Sequence, residues 1–234
     1  MQVATVNNKL NNPVVSKINK QQNVNFHSYE DSQYSVAEKM LIGTTTALGV
    51  LGSLALLSKG AGYGINPFKG NGGIKQSYLA KVKFRTKEIV GIGAGSCLGG
   101  FAGGCLVDND KNNRKAKMKE FVMQIGNITI PIVTVDFVVD KLCKNTNKYI
   151  KALGGIAGIF AGVYLANFCM NKLGNFLFNT TKDRGVKISD YSAHIDDMVV
   201  AAQYISDSEI INYISRIIPV ALMVAGNEVG NKKA

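Results

Sequence analysis

The sequence predicts an all-α fold, a multi-pass transmembrane bundle of four or five helices with glycine-zipper packing. Three observations predict it. Long apolar runs carry no charge, basic residues gather between those runs, and glycines recur every four residues inside two of them. Whole-chain averages hide the signal. The hydrophobic fraction of 46% and the mean hydropathy of +0.07 are ordinary for a soluble protein, because the polar N-terminus and loops dilute the runs.

Residues 1–35 carry seven Asn and four Gln with few large apolar side chains and no helical period, which predicts a disordered arm. The first apolar run begins near residue 40, behind a leader far longer than that of a cleaved signal. The predicted membrane region is 36–228, followed by a short polar tail, 229–234.

Within it, residues 40–58 hold six Leu and no charge between Lys39 and Lys59. That length spans. At 1.5 Å per residue, about 20 residues cross a hydrocarbon core of about 30 Å. Residues 89–107 and 152–171 are equally free of charge and predict two further spans. A fourth, over 119–141, is weaker: it contains Gln124, Asn127 and Pro131 and is β-branched from Ile128 to Val135, so a strand competes. A kinked helix is favoured, since a lone strand in lipid leaves its backbone groups unpaired.

The segment 209–226 is a marginal fifth span, because Arg216 costs about 2.5–3.5 kcal/mol near a helix centre while each Ile, Val or Leu returns about 0.3–0.6. Residues 189–206 space Tyr191, Ile195, Met198, Ala202 and Ile205 as one face of an amphipathic helix, opposite Asp190, Asp196 and Asp197.

The glycines carry the most physics. Gly91, Gly95, Gly99 and Gly103 form one row, Ser96, Gly100 and Gly104 a parallel one, and Gly154, Gly158, Gly162 and Ala166 a third. Residues four apart share a helix face, and glycine there lets a second backbone approach closely in a solvent where apolar side chains gain nothing by associating. Thr45, Gly49 and Ser53 make a fainter stripe in the first run. The rows serve contacts within one chain or between copies of a homo-oligomer, and spacing does not separate the two. Gly93 lies off the first row and is expected to tolerate a large side chain better.

Other motifs read as chemistry less well. Gly91 to Gly95 superficially resembles a nucleotide-binding loop, but the third glycine of GxGxxG falls at Ser96, and no βαβ pattern follows. His194 with Asp190 and Asp197 could ligate a divalent metal, though a solvated polar face explains them more simply. The four cysteines form no CxxC pair and read as small packing residues. Asp136 and Arg216 are the candidate intramembrane polar residues, with Gln124 and Asn127 beside them as lining for a path. No Ser/His/Asp or Cys/His set has readable spacing, so no enzyme, cofactor, metal or small-molecule substrate is predicted.

The net charge of +11 implies an acidic partner. Its placement in loops flanking the runs points to anionic lipid of the bilayer rather than to nucleic acid. Basic residues flank the second run on both sides, so the loops do not alternate as the positive-inside rule expects. Two functions remain open from sequence, a structural or assembly protein of a membrane, which is favoured, and a small pore or transporter, with a soluble nucleotide-binding enzyme using the Gly91 to Gly95 loop a distant third.

Overall fold

The computed structural model describes residues 34–70, 74–82, 84–195, 198 and 215–234, and every regular element among them is helical. The principal helices are α1 (Val36–Gly60), the short α2 (Tyr78–Lys81), α3 (Thr86–Val107), α4 (Lys111–Phe137), α5 (Lys148–Phe178) and α6 (Ile218–Asn231). A single π turn, Val138–Leu142, extends α4. Four of these segments are long and apolar enough to cross a membrane: Val36–Gly60, Thr86–Val107, Lys111–Leu142 and Lys148–Phe178.

Local chemistry sets the boundaries. Ser35 accepts from the Glu38 amide at 3.3 Å while Glu38 accepts from the Ser35 amide at 2.6 Å, a reciprocal cap that starts α1. Asp110 accepts from the amides of Asn112 and Asn113 at 2.9 and 3.0 Å and starts α4 three residues after α3 ends. Asn147 caps α5 in the same manner, and Asn179, in the left-handed region at φ 48°, stops it.

The weak fourth segment is helical, and the strand alternative over 128–135 does not occur. The helix also begins earlier than 119, at Lys111, and its added first turns include Lys117, which is buried and paired with Asp108. It continues through Pro131, whose ring packs against α5 where Gly162 has no side chain.

The segment 209–226 is not one of the four long helices. Residues 209–214 lie outside the described residues, and α6 runs later, over Ile218–Asn231. Its 14 residues reach only about 21 Å, short of a hydrocarbon core of about 30 Å. Instead α6 sits inside the bundle against α3, α1 and α4. The predicted amphipathic helix is described only in part: Ile188–His194 is a 3₁₀ segment, and most of 196–206 lies outside the described residues. Residues 1–33 of the predicted arm lie outside them too, whereas Tyr34 is buried in the bundle at 7% exposure.

The core divides in two. Val50, Leu54, Ile92, Ile128, Leu222 and their neighbours pack among α1, α3, α4 and α6, while Val135, Val139, Ile159 and Val163 join α4 to α5. Large apolar side chains also point outward along the long helices, among them Leu56, Leu106, Leu153 and Phe176, at 66–84% exposure. Inside stand Lys117, Glu120, Asp190 and His194, none above 2%. In water that distribution loses hydrophobic free energy on the outside and spends desolvation on the inside.

Candidate functional site

The glycine rows lie between helices of one chain. A Cβ added to Gly91 would meet Leu57 of α1 at 3.6 Å, an ordinary contact, but one at Gly95 would overlap Ser53 and stand 2.6 Å from the Gly49 carbonyl oxygen. At Gly99 it would overlap the Thr45 carbonyl, and at Gly103 it would overlap the Thr45 hydroxyl and stand 3.1 Å from the Ile42 Cα. This face of α3 therefore touches backbone in α1. Its neighbour row faces α6: Ser96 donates to the Leu222 carbonyl at 2.8 Å, and Cβ atoms on Gly100 and Gly104 would come within 2.5 and 2.9 Å of Gly226 and Gly230 backbone.

On α5, added Cβ atoms would stand 2.8 Å from Cys143 Sγ at Gly154, 3.1 Å from the Val135 Cα at Gly158 and 2.9 Å from the Pro131 Cβ at Gly162. Gly93 departs from its expectation. It is buried, and a Cβ there would stand 2.6 Å from Ile128 Cδ1, so α3 presents glycine to a third helix, α4. The outward positions on α3 are instead Leu98, Ala102 and Leu106, all exposed.

A charge cluster lies beside these contacts. Three carboxylates converge on the Arg184 guanidinium: Glu120 at 2.9 Å, Asp190 through two bonds of 2.6 and 2.8 Å, and Glu228 at 3.0 Å. Gln124 bridges two of them, donating to Glu120 at 3.0 Å and Glu228 at 2.7 Å, while the Ser189 hydroxyl donates to Glu228. Burial pushes the guanidinium pKa down, but Asp190, Glu120 and Glu228 raise it further, so Arg184 stays charged. The cluster ties α4, α6 and the segment after α5 together. Asn171 of α5 fastens that segment as well, accepting from the Arg184 amide at 2.8 Å and donating to its carbonyl at 2.8 Å.

A second buried group joins four chain segments. Lys117, with no exposed surface, donates to the Tyr34 hydroxyl at 2.8 Å and lies 3.7 Å from Asp108. Tyr34 donates to Asp108 at 2.7 Å, and Lys233 of the tail stands 3.9 Å over the Tyr34 ring. Partial burial pushes the Asp108 carboxyl up, but Tyr34, the Asp110 amide, Asn113 and Lys117 together hold it down at about 2. The Tyr34 hydroxyl is raised, first by burial and then by its bond to Asp108.

The polar residues expected to line a path separate. Gln124 and Asn127 are buried on α4, Asp136 is exposed on the same helix, and Arg216 caps the end of α2. Arg216 donates to the carbonyls of Leu79, Ala80 and Val82 at 2.6, 2.5 and 2.9 Å, which gives both of its terminal nitrogens hydrogen-bond partners. His194 is buried, its Nε2 2.8 Å from the Asn127 carbonyl, and Asp190 is occupied by Arg184. The solvated polar face expected there is instead packed at Asp190 and His194, and Asp197 lies outside the described residues. Both amide atoms of Asn127 are buried without a hydrogen-bond partner among the described residues.

Lys117, Glu120, Gln124 and Asn127 follow one another at three, four and three residues, a helical stripe readable from sequence once α4 is started at 111. Their partners Arg184, Asp190, Glu228 and Tyr34 carry no comparable local signal. No protein-family model, no curated protein and no solved structure matches the chain.

Proposed function

We propose that the chain is an integral membrane protein with a structural role, a glycine-zipper bundle that serves as a fixed element of a membrane assembly rather than as an enzyme. The observation that carries this reading is the inverted distribution of its side chains: large apolar groups outward, glycine and paired charges inward. Lipid rewards the first, and the second is tolerated there only where each charge is paired. Arg184 with its three carboxylates, and Lys117 with Tyr34 and Asp108, meet that condition.

Because the zipper faces are occupied within the chain, a homo-oligomer would use other surfaces, and the bilayer itself is the first partner. Basic loops at the helix ends would draw anionic lipid, each charge adding about 1 kcal/mol near the surface. Extraction of membranes at alkaline pH tests integration: the protein should stay in the pellet, and release into the supernatant would sink the reading.

A second reading, a small pore or transporter, is favoured by one observation. The Asn127 amide, unpartnered among the described residues, continues the buried stripe of Glu120 and Gln124 beside His194. Purified protein in liposomes should conduct neither ions nor small solutes if the structural role holds. Selective flux that disappears in Asn127→Leu would put transport first.

A further inference from the structure

We propose that the cleft between the end of α1 and the start of α3 holds the phosphate of an anionic glycerophospholipid, an inference that rests on the membrane reading above. The cleft has a volume of about 230 Å³, and its lining includes Tyr63, Tyr78, Lys81, Arg85, Lys87 and Glu88. Three cations face one carboxylate there. Glu88 is already engaged, accepting from the Arg85 amide at 3.1 Å and lying 3.5 Å from the Lys87 ammonium. Lys81 and Arg85 are exposed and form no ion pair among the described residues, so their charge is available to a ligand. An arginine fork beside a lysine suits phosphate oxygens, which accept from both.

Position selects lipid as the source of that phosphate. The cleft lies where α1 leaves and α3 enters the apolar region, the level at which head groups sit. Beside it Tyr63, Ile65 and Phe68 are exposed on the connecting segment, apolar and amphipathic groups of the kind that settle at a bilayer interface. The walls are built before any lipid arrives. Arg216 pins three carbonyls of the Leu79–Val82 stretch, and Tyr63 meets Tyr78 edge to face with ring centroids 5.7 Å apart.

The test uses the full chain in detergent micelles and counts bound phosphatidylglycerol against phosphatidylcholine by native mass spectrometry. Phosphatidylglycerol should be retained preferentially, and Lys81→Gln and Arg85→Gln should each weaken its binding about fivefold, the equivalent of about 1 kcal/mol per basic residue. Lys141→Gln with Lys144→Gln, at another basic loop, should weaken binding less than either single cleft variant does. Both cleft side chains are exposed, so lipid-free melting should match the parent; Lys81→Glu, reversing the charge, should abolish the preference. Equal retention of the two lipids, or equal loss in the Lys141/Lys144 variant, would overturn the site. Displacement of the lipid by excess inorganic phosphate would overturn lipid in favour of a free anion. Alkaline extraction separates the two claims: a protein released by the wash refutes the membrane reading, whereas a retained protein without lipid preference refutes only the cleft.

Discussion

At single positions the decisive quantity is the distance between backbones. A leucine at Gly99 or Gly158 must displace main chain, at Thr45 and Val135 respectively, and main chain of a packed helix has nowhere to go. Gly52 is the matched control, because it is exposed on α1 and an added Cβ finds nothing within 4 Å. Gly99→Leu and Gly158→Leu should lower the melting temperature in detergent well below that of the parent, while Gly52→Leu leaves it nearly unchanged. Equal tolerance of all three would remove the packing role of the rows. Arg184 makes a contrasting case, in which charge rather than volume decides. Replacing it with Gln strands Glu120 and Asp190, both 2% exposed or less, without their counter-ion, and should cost about 3–5 kcal/mol in chemical unfolding. The glycine spacing can be read from sequence because its period lies in consecutive turns of one helix. The charge cluster cannot, since Lys117 and Tyr34 are 83 residues apart and Arg184 and Glu228 are 44 apart.

Helix boundaries show the same division between local and distant causes. The capping signals at Ser35, Asp110 and Asn147 are local, and they set where α1, α4 and α5 start. The sequence pattern starts the fourth span at 119, yet α4 extends back to Lys111, where pairing supplied by other elements offsets the cost of burying Lys117 and Glu120. That pairing predicts a pH dependence. Asp108 is held at about 2, below the value near 3.9 expected of an unfolded chain, so its contribution is complete above pH 4 and disappears as pH falls through about 2. Acid titration of the melting temperature should therefore show a loss between about pH 4 and pH 2 that is reduced in Asp108→Asn. An unchanged acid limb in that variant would show that Asp108 does not couple α1, α3 and α4. Arg216 acts at the opposite end of the bundle, and Arg216→Gln should destabilise by about 1–3 kcal/mol, because three carbonyls lose a charged donor.

For the whole molecule these contacts fix which ends lie together. Tyr34 meets Asp108, Lys117 and Lys233, so the start of α1, the end of α3, the start of α4 and the C-terminal tail share one end. Arg216 meets the carbonyls around α2, so the start of α6 shares the other end with the close of α1 and the opening of α3. Lys119 holds Asn175 and Thr180 where α5 closes, at the first of these ends, and His194 lies beside Asn127 in the middle of α4. Charge bias alone did not give this arrangement, because both ends carry basic loops, Lys111, Arg114 and Lys115 at one and Lys69, Lys81 and Arg85 at the other. The geometry makes a definite prediction for single cysteines placed in a chain whose four native cysteines have been replaced. In sealed vesicles Asn109→Cys and Ala234→Cys should react together with a membrane-impermeant maleimide from one side, while Lys69→Cys and Asn145→Cys should react together from the other. These pairs distinguish the packed bundle from a simple reading of five spans, which would put the C-terminal tail on the side opposite the start of the first helix. Labelling of Asn109 and Ala234 from opposite sides would mean that α6 does not return beside the start of α1, and the contacts of Tyr34 with Lys233 could not form in the membrane.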